Sequence, residues 1–145
     1  MKRRIVLALT FIFATTLIGC GSDDNGTSTA SIVGKWRAEK FDYYRNGQLQ
    51  QTQIIEEENA SCPDNVEFKT NGTFVALELD ADCNASVDDS GTYTFDGTTI
   101  TYNSDASIST GTVISLNATD MKVDFTETPS EGVVYKNVGY FKRMN

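Results

Sequence analysis

Few side chains in these 145 residues can do covalent or ligating chemistry: there are three Cys and no His. Without imidazole, a Ser-His-Asp triad, a Cys-His dyad and a His-bearing zinc site are excluded. Carboxylates are plentiful, at 20 Asp+Glu against 12 Lys+Arg, for a formal charge of −8. Two carboxylates flanking a glycosidic bond can hydrolyse it, but no motif here fixes such a pair, and no catalytic residue is expected. Asp80, Asp82, Asp88 and Asp89 gather around Cys83. Oxygen-rich loops can hold Ca²⁺, yet the spacing is not that of an EF-hand, and a solvated acidic loop accounts for it, so no metal or cofactor is expected. Glu56-Glu57-Glu58 reads as a loop end. The acidic balance argues against a nucleic-acid partner, because phosphate-backbone affinity comes from Lys and Arg. Phe41, Tyr43, Tyr44, Tyr93, Tyr102 and Tyr140 are expected to pack a core rather than to present a sugar-stacking surface.

The first cysteine belongs to an export signal. Lys2, Arg3 and Arg4 precede Ile5 to Ile18, a stretch that is apolar apart from its threonines. It is shorter than the ~20 residues a spanning helix needs, and it fits the apolar region of a secretory signal. Leu17-Ile18-Gly19-Cys20 resembles the lipobox of bacterial lipoproteins. That resemblance implies removal of residues 1–19, a diacylglyceryl group on the Cys20 thiol, and a membrane partner held through that lipid. Two or three acyl chains make such an anchor stable. A plain signal peptide with a chance Cys is the alternative. Residues 20–31 then form the lipidated Cys and a flexible tether, rich in Gly, Ser, Thr and Asp. Ser22-Asp23-Asp24 resembles short acidic export signals of Gram-negative surface lipoproteins and equally fits a solvating linker. The expected location is the cell envelope, at the outer membrane, with its face left open.

Cys62 and Cys83 remain, in a chain read as exported, where disulfides persist. Pairing them is the economical reading. The loop holds about 22 residues, and chain entropy then contributes about 3.4 kcal/mol. Two free thiols or a metal pair are the alternatives, the latter without a further soft ligand.

These residues must be positioned by strands. Met121 to Thr126 alternates apolar and polar side chains, as do Thr92 to Phe95 and Thr99 to Tyr102, the mark of half-buried strands. Asp96-Gly97, Asn71-Gly72 and Asn46-Gly47 separate such runs, and such pairs are strong hairpin signals. About nine strand candidates follow one another through residues 32–145, including Trp36 to Arg45, Gln48 to Glu56, Thr73 to Leu79 and Val133 to Lys142. Ser31 to Lys35 is the one candidate for a short helical turn. The expected fold is all-β, an antiparallel up-and-down barrel of eight or nine strands, with a sandwich as alternative. A barrel of that size is filled by its own side chains or holds one small ligand.

Gly34-Lys35-Trp36 just before the first strand, followed by a β meander, resembles the lipocalins. The resemblance implies that Gly34 and Trp36 form the barrel base and that a basic residue of the last strand, Arg143 or else Lys142, covers the Trp36 ring. A closer likeness is to the small lipocalin-like domains of bacterial lipoproteins. It is carried by Cys62 to Phe74, by Cys83 with Ser90 to Ile100, and by Val138 to Arg143. The domain is shorter than a secreted lipocalin, so a small or filled cavity is expected. The resulting functional reading is a non-catalytic, lipid-anchored module for a small apolar or amphipathic ligand, with Val75, Leu77, Met121, Val123 and Phe125 as inward lining. The alternative is an interaction lipoprotein whose loops meet a protein or glycan partner, since fold does not fix function.

Overall fold

The computed structural model describes residues 30–105, 107–127 and 132–145. The signal segment, Cys20 and most of the tether therefore lie outside the described residues. Nine strands follow in order: β1 (Gly34–Arg45), β2 (Gln48–Ile54), β3 (Asn65–Phe68), β4 (Thr73–Leu79), β5 (Ala85–Phe95), β6 (Thr99–Ser104), β7 (Ile108–Leu116), β8 (Asp120–Glu127) and β9 (Tyr135–Arg143). All pairings are antiparallel neighbours, and β1 also pairs with β9, so the sheet closes on itself. Closure satisfies the two strand edges that an open sheet would leave bare.

Eight strands, not nine, make the barrel. One edge of β1 lies along β9 from Trp36 to Arg45. Its other edge is divided. Gly34 to Trp36 pairs with β3, whereas Lys40 to Arg45 pairs with β2. A strand has only two edges, so β2 cannot also bridge to β3; it stands beside the barrel as an extra ribbon, exposed at every residue. The hairpin that joins it to β1 turns through Asn46 and Gly47, both at positive φ (49° and 78°), as a two-residue turn matching strand twist requires.

Two further expectations are corrected. No helix occurs among the described residues, and Ser31 to Lys35 forms no helical turn. This segment instead crosses the barrel base and places Ile32, 4% exposed, against the core. The acidic stretch after Cys83 is not all loop, because Asp88 and Asp89 lie within β5. Backbone pairing with β4 at Leu77 to Leu79 extends β5 back to Ala85 despite a sequence poor in apolar alternation.

The interior is filled by one face of every barrel strand. Trp36, Phe68, Ile100, Met121 and Val123 are fully buried, and Phe74, Val113, Tyr93, Tyr102, Leu116 and Phe125 pack around them. Aromatic rings form its middle layer. Phe68 meets Tyr93 edge-on at 4.9 Å, Phe74 meets Tyr102 at 5.4 Å, and Tyr102 reaches Phe125 at 6.2 Å. Contacts of this kind add ~0.5–1.5 kcal/mol each beyond the area they bury. Burial raises the Tyr102 hydroxyl far above its ordinary value, since ionising it would place charge in an apolar interior.

Candidate functional site

The barrel base is a lock built on Trp36. Its indole Nε1 donates to the Ile32 carbonyl at 2.7 Å, satisfying the one polar atom of a fully buried side chain. The Arg143 guanidinium lies over the ring at 4.2 Å. Its planar fork also donates to the carbonyls of Val33 at 2.7 Å, Ala118 at 2.8 Å and Ser31. One side chain thus ties the last strand to the entering chain and to the β7–β8 turn. Gly34 sits directly under this fork, at φ 130°, and any Cβ there would collide with the Arg143 guanidinium. Lys142 faces away and pairs with Asp120 at 2.6 Å. That pair holds the Asp120 carboxyl below its ordinary range.

Above this base, two cavities open into the barrel. The first, about 290 Å³, is bordered by Trp36, Ala38, Phe41, Val66, Ala76 and Phe141. Glu57, Asp64, Glu78 and Asp88 stand around the same space. The second, about 490 Å³, lies under the β1–β2 hairpin and is bordered by Tyr43, Tyr44, Phe125, Tyr135 and Asn137, with Arg45, Glu127 and Lys136 beside them. Each is bordered by an asparagine whose buried Oδ1 has no hydrogen-bond partner, Asn65 at the first and Asn137 at the second.

The wall of the first cavity depends on an irregularity. Alternation from Trp36 through Ala38 would bring Lys40 to the inner face, but the β1–β9 register slips between Ala38 and Lys40. The extra residue at Glu39 turns Phe41 inward and Lys40 outward. Phe41 then meets Phe141 edge-on at 5.9 Å, while Lys40 reaches Asp42 at 3.2 Å and the Tyr140 ring at 4.1 Å on the outer wall. Asp42 is 5% exposed, and its carboxyl is held below the ordinary range. The Thr52 hydroxyl, which donates to it at 2.7 Å, is the largest cause, opposed by burial and aided by Tyr140 and Lys40.

The disulfide lies beside the first cavity. Cys62 and Cys83 are joined, with Cα atoms 5.7 Å apart, and the bond ties the loop after β2 to the β4–β5 turn. Asp64 and Glu57 belong to that loop. The Asp64 carboxylate accepts from Leu79 N at 2.7 Å, and that of Glu57 accepts from Asp64 N at 2.9 Å. Asp80 is occupied by its own turn, accepting from the backbone N–H groups of Asp82 and Asn84 and from the Asn84 amide. These bonds hold its carboxyl below the ordinary range.

The five residues expected to line a ligand site separate in the structure. Met121 and Val123 are buried in the packed core and border neither of these cavities. Phe125 borders the second. The inward placement of Val75 is incorrect. Phe74 and Ala76 occupy the inner face of β4, so Val75, between them and opposite Glu67, points outward. Leu77 sits opposite Asn65, outside the core, and touches only the border of the first cavity. The residues that do form that cavity, Ala38, Phe41, Val66, Ala76 and Phe141, carry no motif. For Ala38 and Phe41 the one sequence signal is inner-face alternation from Trp36, which the slip at Glu39 interrupts.

Three solved structures share this architecture. Lobster apocrustacyanin A1 superposes with a TM-score of 0.53 at 14% identity, over 83% of this chain and 63% of that one. Apocrustacyanin C1 gives 0.52 at 16%, over 85% and 64%, and apocrustacyanin C2 gives 0.52 at 15%, over 85% and 64%. This chain thus spans less than two thirds of their length, and the likeness is one of fold. A comparison with curated proteins finds no match. The sequence profile described as a lipocalin-like domain matches residues 32–123. With that match covering most of the chain, and a closed eight-stranded barrel locked at its base by Trp36 and Arg143, the chain belongs to the lipocalin-like domain family.

Proposed function

We propose that this protein is a non-catalytic binding module that holds a small apolar or amphipathic molecule in its barrel, displayed at the outer membrane by a lipid on Cys20. The observation that carries the reading is the first cavity, a space of about 290 Å³ against Trp36 with Ala38, Phe41, Val66, Ala76 and Phe141 as further apolar walls. Small-ligand sites are typically concave, mostly apolar and fitted with a few polar groups. A space of this size takes roughly ten non-hydrogen groups, at ~30 Å³ for each water-sized one. That excludes a diacyl lipid and fits a short-chain molecule.

The test uses the single Trp of the sequence, which borders the cavity. Titration with 1-octanol should change Trp36 emission saturably, and Ala76→Leu, which fills the space, should abolish the change. An unaltered spectrum up to the solubility limit of the alcohol would refute the reading. The anchor is tested separately. Cys20→Ser should move the protein from the membrane to the soluble envelope fraction, and an unchanged distribution counts against lipidation. The interaction reading has one observation in its favour: Leu49 and Ile54 are exposed on the ribbon β2. Crosslinking in intact cells to one dominant partner would favour it.

A further inference from the structure

We propose that the molecule taken by the first cavity is a cationic amphiphile, an ammonium group on a short apolar body; this rests on the binding reading above and names its ligand class. Three observations converge. The first is the polarity of the space itself. Its apolar residues include Trp36, Phe41, Val66, Ala76 and Phe141, whereas the charged groups bordering it, Glu57, Asp64, Glu78 and Asp88, are all acidic. Lys40, which alternation would have turned inward, is committed to Asp42 and Tyr140 on the outer wall.

The second is the distribution of charge along the chain. Residues 55–91, which form the loop after β2, the strands β3 and β4 and the first part of β5, carry ten carboxylates against one Lys, Lys69. The rest of residues 32–145 is balanced, with eight acids and eight bases. The charge excess of the domain thus falls on this stretch of chain, and four of its ten carboxylates border this cavity. The four ion pairs among the described residues, Arg37–Glu39, Lys40–Asp42, Lys136–Asp124 and Lys142–Asp120, all lie on β1, β8 and β9. The carboxylates of Glu78 and Asp88, both exposed residues, take part in no hydrogen bond or ion pair among the described residues. A cleft lined by one sign of charge over low-dielectric walls concentrates the opposite ion.

The third is the orphaned acceptor. Asn65 Oδ1 is buried without a partner, while its amide nitrogen donates to the Pro63 carbonyl at 3.2 Å. A buried acceptor left unpaired is costly. An ammonium group has three donors and no acceptor, so it complements both this oxygen and the carboxylates. A carboxylate or phosphate headgroup would meet only acceptors and like charge. The apolar body would lie against Trp36 and the Phe41–Phe141 pair, with the ammonium group toward Asn65, Glu78 and Asp88.

The experiment compares three probes of equal chain length, octylamine, 1-octanol and octanoate, by Trp36 emission and calorimetry on the full chain at neutral pH and low salt. Octylamine is expected to bind at least tenfold more tightly than octanol, with octanoate weakest. In Glu78→Gln/Asp88→Asn the octylamine-to-octanol ratio should fall below about threefold, with circular dichroism confirming the fold. Added salt should narrow the ratio in the unmodified protein, since partly exposed charges are screened within ~10 Å at 0.1 M. Equal binding of octylamine and octanol overturns the cationic assignment and leaves the apolar site standing. Binding of none of the three overturns both. A ratio that survives the double substitution overturns the roles given to Glu78 and Asp88, and with them the proposal.

Discussion

Arg143→Ala should destabilise the protein by about 4 kcal/mol. The side chain donates to three backbone carbonyls and covers the Trp36 ring at 4.2 Å. Only the Val33 acceptor is partly buried, and a charged hydrogen bond there is worth about 1.5–3 kcal/mol. The Ser31 and Ala118 carbonyls are exposed and can turn to water, so each bond contributes about 0.5 kcal/mol. Stacking of guanidinium on indole adds about 1 kcal/mol. A loss of ~4 kcal/mol in a domain of this size lowers Tm by roughly 16 °C. Thermal unfolding followed by circular dichroism reads it directly. Arg143→Lys is the informative companion. It keeps the charge but replaces a planar fork with a point cation that cannot serve three carbonyls, so it should recover less than half of the loss. Combining Arg143→Ala with Trp36→Phe should show a coupling of about 1 kcal/mol. A loss under 1 kcal/mol for Arg143→Ala, or full recovery by Lys, would refute the argument that a bonded fork, rather than a nearby positive charge, closes the barrel base.

Three further outcomes are expected. Replacing both Cys62 and Cys83 by Ala should cost up to about 3.4 kcal/mol by chain entropy; a loss near zero in urea titration would mean that the loop opens independently of the barrel. Asp42 has a lowered carboxyl pKa, so its contribution is full above the ordinary carboxylate value of 3.8 and is lost as pH falls through the lowered folded value. The stability gap between wild type and Asp42→Asn should therefore be constant near neutrality and shrink below about pH 4; a gap that widens in acid would reverse the sign argued here. Gly91→Ala should be severe, costing 1–3 kcal/mol or more. Its Cβ would overlap the Asn103 carbonyl, a backbone atom of the paired strand that cannot swing aside; unchanged Tm would contradict the β5–β6 pairing at that point.

Local signals reach the level of elements. Asn46-Gly47, Asn71-Gly72 and Asp96-Gly97 mark three turns because each ends in a Gly at positive φ (78°, 79° and 99°), a conformation decided by residue type. Alternation in Met121 to Thr126 marks β8 because a half-buried strand has period two. The resemblance of Gly34-Lys35-Trp36 to the lipocalin start implies a base closed by Trp36 and covered by a basic residue of the last strand. What was not legible is equally specific. The upper part of β5 reads as an acidic loop, because its partner in β4, not its own composition, makes it a strand. Val75 reads as inward only because a run of apolar residues hides which member of the pair Val75 and Ala76 faces the core.

The sequence by itself therefore determined the class of fold, the turns, the acidic balance, the candidate anchor at Cys20 and the two cysteines available to pair. Each is a property of overall composition, of one residue or of a succession of short runs. Tertiary structure alone decided that β2 stands outside the barrel, that the slip at Glu39 exchanges Lys40 for Phe41 on the inner wall, and that Glu57, Asp64, Glu78 and Asp88 border one cavity over Trp36. The reason is register. Which face a side chain takes, and which distant carboxylates it meets, is fixed by hydrogen bonds to two neighbouring strands at once, and a shift of a single residue moves a whole strand segment to the opposite face.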